Sequence, residues 1–486
     1  MLKLNEDVLY LILEELKDDR KSLYSCLLVN RTLCEKTVSI LWKNPGQYYT
    51  SMKLLFNVIL LHLSEESRKI FKNQGINLFN ETYQRKPSFN YINFWKFLNL
   101  HLLECMIFSI KNIEKSKLPI IRNEILNLFV NKNTKFIYLD IPQQFNYQLH
   151  HISGAEHCFS KLQWLYCGNN TDQNILEGLA KICTSIKKLR FDIIQYNKND
   201  NPGIFKLIEA QKNLKQVYFV WFTNKRNESY RKSLEESLIK NSTNIQNFSL
   251  CWKPITEILS YLVNLLSLEL NLSFYNLFQD TNWNHLEKVS LPLLKILRAQ
   301  KVPSKILANL IENTNGNLTE ISILYDGIDD KRLIQAIHKN CPKLKYLKLL
   351  IKNDNILELE KVLINCQYLN GLFIIADPFN EPDWYDLFKI FIKSSSMNLF
   401  KFKFSSIWSI KLLDSLKSFF DNWIDRNPML LQIILTEHLN IEQQQQQQRR
   451  QQLDDLIQKY KLKGIIKKYD IDGTVFEDFE WIQKKI

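Results

Sequence analysis

The chain has 486 residues, 45% hydrophobic and 24% charged, a balance that belongs to folded globular proteins and excludes a disordered chain. With only 11 glycines and 12 prolines, collagen-like and Pro/Gly-rich classes are excluded as well. The net charge of +13 allows an acidic partner without requiring one, and the length allows about three domains or one long repeat array.

The nine cysteines are odd in number, scattered, and never spaced Cys-x-x-Cys. This predicts reduced thiols, with neither a disulfide framework nor a four-cysteine zinc site, and places the chain in cytoplasm and/or nucleus. The first residues include Glu6 and Asp7 where a secretion signal needs basic and then apolar residues. The densest apolar stretch, Leu54 to Leu63, is interrupted by Asn57 and His62. It falls far short of the ~20 residues that span a bilayer, so no membrane partner is expected.

Residues 1–45 read as a block of three short helices. Val8, Leu9, Ile12, Leu13 and Leu16 form one wide apolar stripe. Asn5 is placed to cap that helix, and Asp7 lies in its first turn, where the helix dipole favours a negative charge. Asp18-Asp19 marks a turn, Leu23 and Leu27 a second helix, and Val38, Leu41 and Trp42 a third, which stops at Asn44-Pro45. A block this small cannot bury all of its apolar residues, and the remainder points to a docked partner. Residues 46–130 read as a helical region, with stripes over Met52–Leu63, Phe94–Ile110 and Ile120–Val130.

From residue 131 to 440 a period appears. The pattern Leu-x-x-Φ-x-Φ, with Φ apolar, fits twelve times, from Phe136/Leu139/Ile141 and Leu162/Leu165/Cys167 through Leu399/Phe402/Phe404 and Leu430/Ile433/Leu435. The steps run from 20 to 31 residues, at or near the spacing of leucine-rich repeats. Amphipathic helical stretches such as Asp330–Lys339 and Ile356–Asn365 lie between the triads. A short strand followed by a helix, stacked many times, is an α/β solenoid. The asparagine that ends such strands is present at Asn170 but replaced at Phe222, Lys253 and Asp326. Residues 441–452 are a Gln-rich, low-complexity and solvated segment, and 453–486 a charged, partly helical tail.

Residues 4–42 resemble an F-box. That family opens Leu-Pro-x-Glu-(Ile/Leu)-Leu-x-x-Ile-Φ-x-x-Leu, and the chain reads Leu4-Asn5-Glu6-Asp7-Val8-Leu9-Tyr10-Leu11-Ile12-Leu13-Glu14-Glu15-Leu16, with Asn5 in place of proline. Farther on, Val29-Asn30-Arg31-Thr32-Leu33 matches a second family segment, with Leu33 where tryptophan is usual, and Leu41-Trp42 closes the motif. The layout of F-box, helical stretch and leucine-rich repeats is similar to the large F-box families of fungi. The resemblance implies a fold class of α/β: a three-helix F-box, a helical segment, then a leucine-rich-repeat solenoid of about twelve repeats. It implies a non-catalytic substrate-recognition adaptor of a Skp–cullin–F-box (SCF) ubiquitin ligase, in which the F-box packs on a Skp adaptor and, through it, reaches a cullin. The docking residues it implies are Leu4, Val8, Leu9, Ile12, Leu13, Leu16, Val29, Arg31 and Leu33, with Leu16 and Leu23 nearer the block's own core.

Side chains alternate along a strand, so the residues flanking the second Φ face away from the helices. In the ten middle repeats these pairs include Trp164/Tyr166, Lys188/Arg190, Arg298 beside Ile296, Tyr346/Lys348 and Lys401/Lys403. Six basic, two acidic and five aromatic residues stand there, and aromatic and Arg side chains are typical interface anchors. The expected ligand is an acidic or phosphorylated protein segment, with Trp164, Tyr166, Arg190, Tyr346 and Lys348 among its contacts.

Enzyme signatures are weak. Asp470-Ile471-Asp472-Gly473-Thr474 copies the Asp-x-Asp-Gly-Thr motif of haloacid-dehalogenase-type phosphatases, but eleven residues follow Val475, and a charged turn is expected instead. His150, His151, His157 and Cys158 lack a second ligand pair at finger spacing. No phosphate-cradling glycine loop occurs, and no catalytic residue, metal or cofactor is expected. Two alternatives remain open: a basic solenoid that binds nucleic acid, disfavoured because the basic residues are spread, and a non-ligase interaction scaffold.

Overall fold

The computed structural model describes residues 5–47, 52–78, 87–111, 113–168, 170–193, 201–221, 228–272, 283, 286–324, 330–436, 443–471 and 473. Leu4, Phe222 and Asp326, singled out above, lie outside them. The chain divides into two compact units, Met1–Asn241 and Ser242–Ile486.

The first unit begins with α1 (Glu6–Glu15), α2 (Arg20–Cys26), α3 (Arg31–Leu41), α4 (Met52–Leu61) and α5 (Glu65–Asn73). Strands and helices then alternate: β1 (Phe97–Asn99), α6 (Leu100–Phe108), α7 (Leu118–Phe129), β2 (Tyr138–Ile141), α8 (Ala155–Phe159), β3 (Trp164–Gly168), α9 (Gln173–Ile182), β4 (Lys188–Ile193), α10 (Gly203–Glu209), β5 (Gln216–Trp221) and α11 (Glu228–Ile239). Strands β1 to β5 pair in parallel and in chain order.

The second unit runs β6 (Asn247–Leu250), α12 (Ile258–Tyr261), β7 (Ser267–Asn271), β8 (Ile296–Gln300), α13 (Ser304–Glu312), β9 (Glu320–Leu324), α14 (Asp330–Asn340), β10 (Tyr346–Ile351), α15 (Ile356–Asn365) and β11 (Gly371–Ala376). It continues with α16 (Trp384–Ser394), β12 (Lys401–Ile407), α17 (Ile410–Asp421), β13 (Met429–Thr436), α18 (Gln443–Leu462) and β14 (Ile466–Asp470). These strands too are parallel and follow chain order. Parallel neighbours require a crossover; most crossovers here are amphipathic helices, and consecutive helices pack side by side. The result in each unit is a mixed α/β array with an open parallel sheet. No described helix is long and apolar enough to cross a membrane.

The apolar triads build the core. The second apolar position aligns from strand to strand, Leu139 beside Leu165, Leu189 and Val217 in the first unit. In the second unit Phe248, Leu268, Leu297, Ile321, Leu347, Leu372 and Phe402 continue the same way. All of these side chains are buried. Near the end of the second unit the row becomes aromatic: Phe402 packs edge-on to Phe419 at 5.5 Å and to Trp423 at 5.3 Å, and Phe388 stacks on Phe419 at 4.6 Å.

Four features differ from the sequence reading. Strand β1 lies inside the region read as helical, and pairs with β2. In β13 the pairing of Phe402 with Leu431 and Phe404 with Ile433 shifts the twelfth triad by two residues, so Pro428 takes the opening position. The Gln-rich segment is the start of α18, and Ile466–Asp470, read as too polar for a strand, is β14 on the edge beside β13. Its charge suits an edge position.

Candidate protein-interaction sites

The N-terminal block is held by its caps. Asn5 accepts the Asp7 N–H at 3.1 Å, Asp19 accepts both the N–H and the hydroxyl of Ser22, and Asn30 accepts the Leu33 N–H at 2.9 Å. Each satisfies an otherwise orphaned donor of a helix start. Leu13, Leu23 and Ile40 form the buried centre, ringed by Leu9, Tyr10, Leu16, Cys26, Leu33 and Leu41. Lys36 pairs with Glu6 at 2.9 Å and Lys43 with Glu14 at 2.5 Å.

This separates the stripe of α1 into two rows. Leu9, Leu13 and Leu16 turn inward, while Val8 and Ile12 are exposed. Leu13, expected at a docking surface, is core. Leu16 and Leu33 also pack on that core rather than standing clear of it. Leu11, which sequence reasoning passed over, is 64% exposed and completes the outer row with Val8 and Ile12 at helical spacing. Leu28 and Val29, between α2 and α3, are 89% and 64% exposed. Arg31 is open to solvent and pairs with Glu35 at 2.9 Å. Exposed large apolar side chains on so small a block are the kind that mark an interaction surface.

Behind the block, a cleft of about 560 Å³ is lined by Glu14, Arg20, Lys43, Trp95, Phe97, Tyr138 and Trp164 among others. It leads onto the strand face turned away from the helices, called here the inner face. Trp164 and Tyr166 on β3 lie in register with Lys188 and Arg190 on β4, so three of the predicted contacts are brought together. Lys188 Nζ sits 5.2 Å from the ring centres of both Trp164 and Tyr218, and the Arg190 guanidinium 5.1 Å from that of Tyr166.

Two carboxylates join this group. The Tyr166 hydroxyl donates to Asp192, and Arg190 Nε lies 3.4 Å from the same carboxylate. Asp140 on β2 is buried, and its carboxyl is pushed up to about 6. Burial is the main cause and the like charge of Asp192 adds to it, against a hydrogen bond from Tyr138 and the charge of Arg190. The inner face of the first unit is therefore of mixed charge. Asp192 stands one alternation beyond the flanking pair of β4, and Asp140 on a strand outside the ten middle repeats; carrying the alternation to the strand ends would have found both.

Tyr346 and Lys348 belong to the second unit. Their neighbours are Phe373 on β11, Lys401 and Lys403 on β12, and Leu430 and Gln432 on β13. Phe373 lies 4.8 Å from Lys348 Nζ and 4.6 Å from Lys403 Nζ, and Lys401 Nζ donates to the Tyr346 hydroxyl at 3.1 Å. Toward β8, Arg298 is paired with Glu320 at 2.7 Å.

His150 and His151 touch ring to ring at 4.1 Å, while Cys158 is buried beside the Thr134 hydroxyl at 3.3 Å. Among the described residues no group of three or more His, Cys, Asp or Glu could hold a metal ion. Asp470 accepts from Gln432 at 3.1 Å at the end of β14; Asp472 lies outside the described residues. No protein-family model and no curated protein matches the chain.

Proposed function

We propose that the chain is a non-catalytic substrate-recognition adaptor of an SCF-type ubiquitin ligase, working in cytoplasm or nucleus without a cofactor. Helices α1–α3 act as the F-box and present Val8, Leu11 and Ile12, with Leu28 and Val29, to a helical groove on a Skp adaptor. Strands β2–β13 are the twelve leucine-rich units, and their inner faces bind the target, an acidic or phosphorylated protein segment. The observation that carries this reading is the outer row of α1. The block has a closed core of its own around Leu13 and Leu23, and still holds a second apolar row at helical spacing facing water.

The test is capture of purified full-length chain by a Skp adaptor and a cullin. The double substitution Val8→Asp, Ile12→Asp is expected to abolish capture while leaving the circular dichroism unchanged. Leu13→Ala is expected to loosen the block itself, seen as a lower melting temperature. No capture of the intact chain would overturn the reading.

A further inference from the structure

We propose that residues 474–486 of this chain occupy the inner face of β10–β13, where buried lysines receive their acidic side chains. The face is closed in a way its neighbours are not. Lys403 is 0% exposed, Lys348 3% and Lys401 9%, and Phe373 and Gln432 between them are fully buried. On β7 and β8 of the same unit the matching residues Ser267, Glu269, Ile296 and Arg298 stay partly open. A buried ammonium is stable only against a counter-charge.

The path of the chain points to the source. Gln432 donates to Asp470 at the end of β14, and Gly473 lies so close above Gln432 that a Cβ there would collide with its amide. The chain thus leaves β14 onto the inner face, with thirteen residues still to come. Thirteen extended residues reach about 43 Å, whereas crossing from β13 to β10 takes three strand spacings, about 14 Å. The segment Phe476-Glu477-Asp478-Phe479-Glu480-Trp481 alternates three acids with three aromatic rings. It meets three lysines that already rest on Phe373, Tyr346 and Phe400. The chain carries its own acidic, aromatic ligand, and a target segment of the same chemistry would have to displace it. This rests on the acidic-segment reading of the second unit and not on the docking of α1.

The test uses the full chain with Glu477→Lys, Asp478→Lys and Glu480→Lys, and a fluorescent synthetic peptide of residues 474–486. The peptide is expected to bind the charge-reversed chain at least tenfold more tightly than the unaltered one, and to lose that binding when Lys401→Glu is added. Equal binding to both chains, or binding to neither, would overturn the proposal. Acetylation footprinting is a second readout should the variant fold poorly. In the unaltered chain Lys348, Lys401 and Lys403 are expected to react several-fold less than Lys188, and equal reactivity would count against the proposal. No Skp adaptor is present in either assay, so neither result bears on the adaptor reading.

Discussion

The inner face of β2–β5 and that of β10–β13 are built on one plan, with a cation against an aromatic ring at matching strand positions, yet they handle charge differently. In the first, Lys188 and Arg190 lean on Trp164 and Tyr166, and the carboxylates Asp140 and Asp192 stand among them. In the second, Lys348, Lys401 and Lys403 are packed away around Phe373. The repeat fixes where side chains stand; which charges stand there, and whether water reaches them, is decided residue by residue. Two faces with one geometry thus have different ligand chemistry, mixed in one case and cationic in the other.

Four substitutions sharpen or break that contrast. Phe373→Ala removes the ring beneath two lysines and opens a cavity in a fully buried cluster. It is expected to cost about 3–5 kcal/mol in denaturant unfolding of the second unit; a loss below 1 kcal/mol would mean that the lysines are held without it. Asp140 gives the next largest effect. Its folded carboxyl titrates near 6, above its ordinary value, so between about pH 4 and 6 the folded unit holds a proton that the unfolded chain releases. The first unit should therefore gain up to about 2–3 kcal/mol as pH falls through that window and lose it again above it. Asp140→Asn should flatten that slope, as read by hydrogen exchange at β2–β4. Tyr166→Phe removes the hydroxyl that Asp192 accepts and is expected to cost about 1–2 kcal/mol, while drawing the Asp140 titration toward a different midpoint in a carboxyl NMR titration. The smallest effect is a control outside both faces: Asn30→Ala removes the cap on α3 and should cost about 1 kcal/mol with no change at either inner face.

Most of the ladder was legible from sequence because one buried row with fixed spacing leaves a strong periodic trace. It failed where that trace was doubled or too short. In β13, Leu430, Leu431, Ile433, Ile434 and Leu435 are apolar in near-continuous order, since both of its faces are covered, and two registers fit equally well. Strand β1 is three residues long and runs straight into α6 through the cap Asn99, leaving no room for a period. Strand β14 is mostly polar because it lies at an edge. At the N-terminal block the helices and caps were legible, but the division of α1 into inner and outer rows was not. Both rows are apolar, and only the position of Leu23 and Ile40 decides which one is core. The inner-face cations were found by alternation alone, whereas their burial depends on contacts across several strands.

Helix α18 carries six glutamines in its first turns and is anchored only later, by Leu453, Ile457 and Tyr460, whose hydroxyl donates to Asp421 at 2.6 Å. Glutamine is a good helix former, and the anchoring side chains all lie downstream of the tract. Adding or deleting glutamines would lengthen or shorten the free lead of the helix without turning its anchored side. Copy-number slippage in the underlying codons is therefore neutral for everything after residue 453, and the tract can drift in length between lineages while β14 keeps its place.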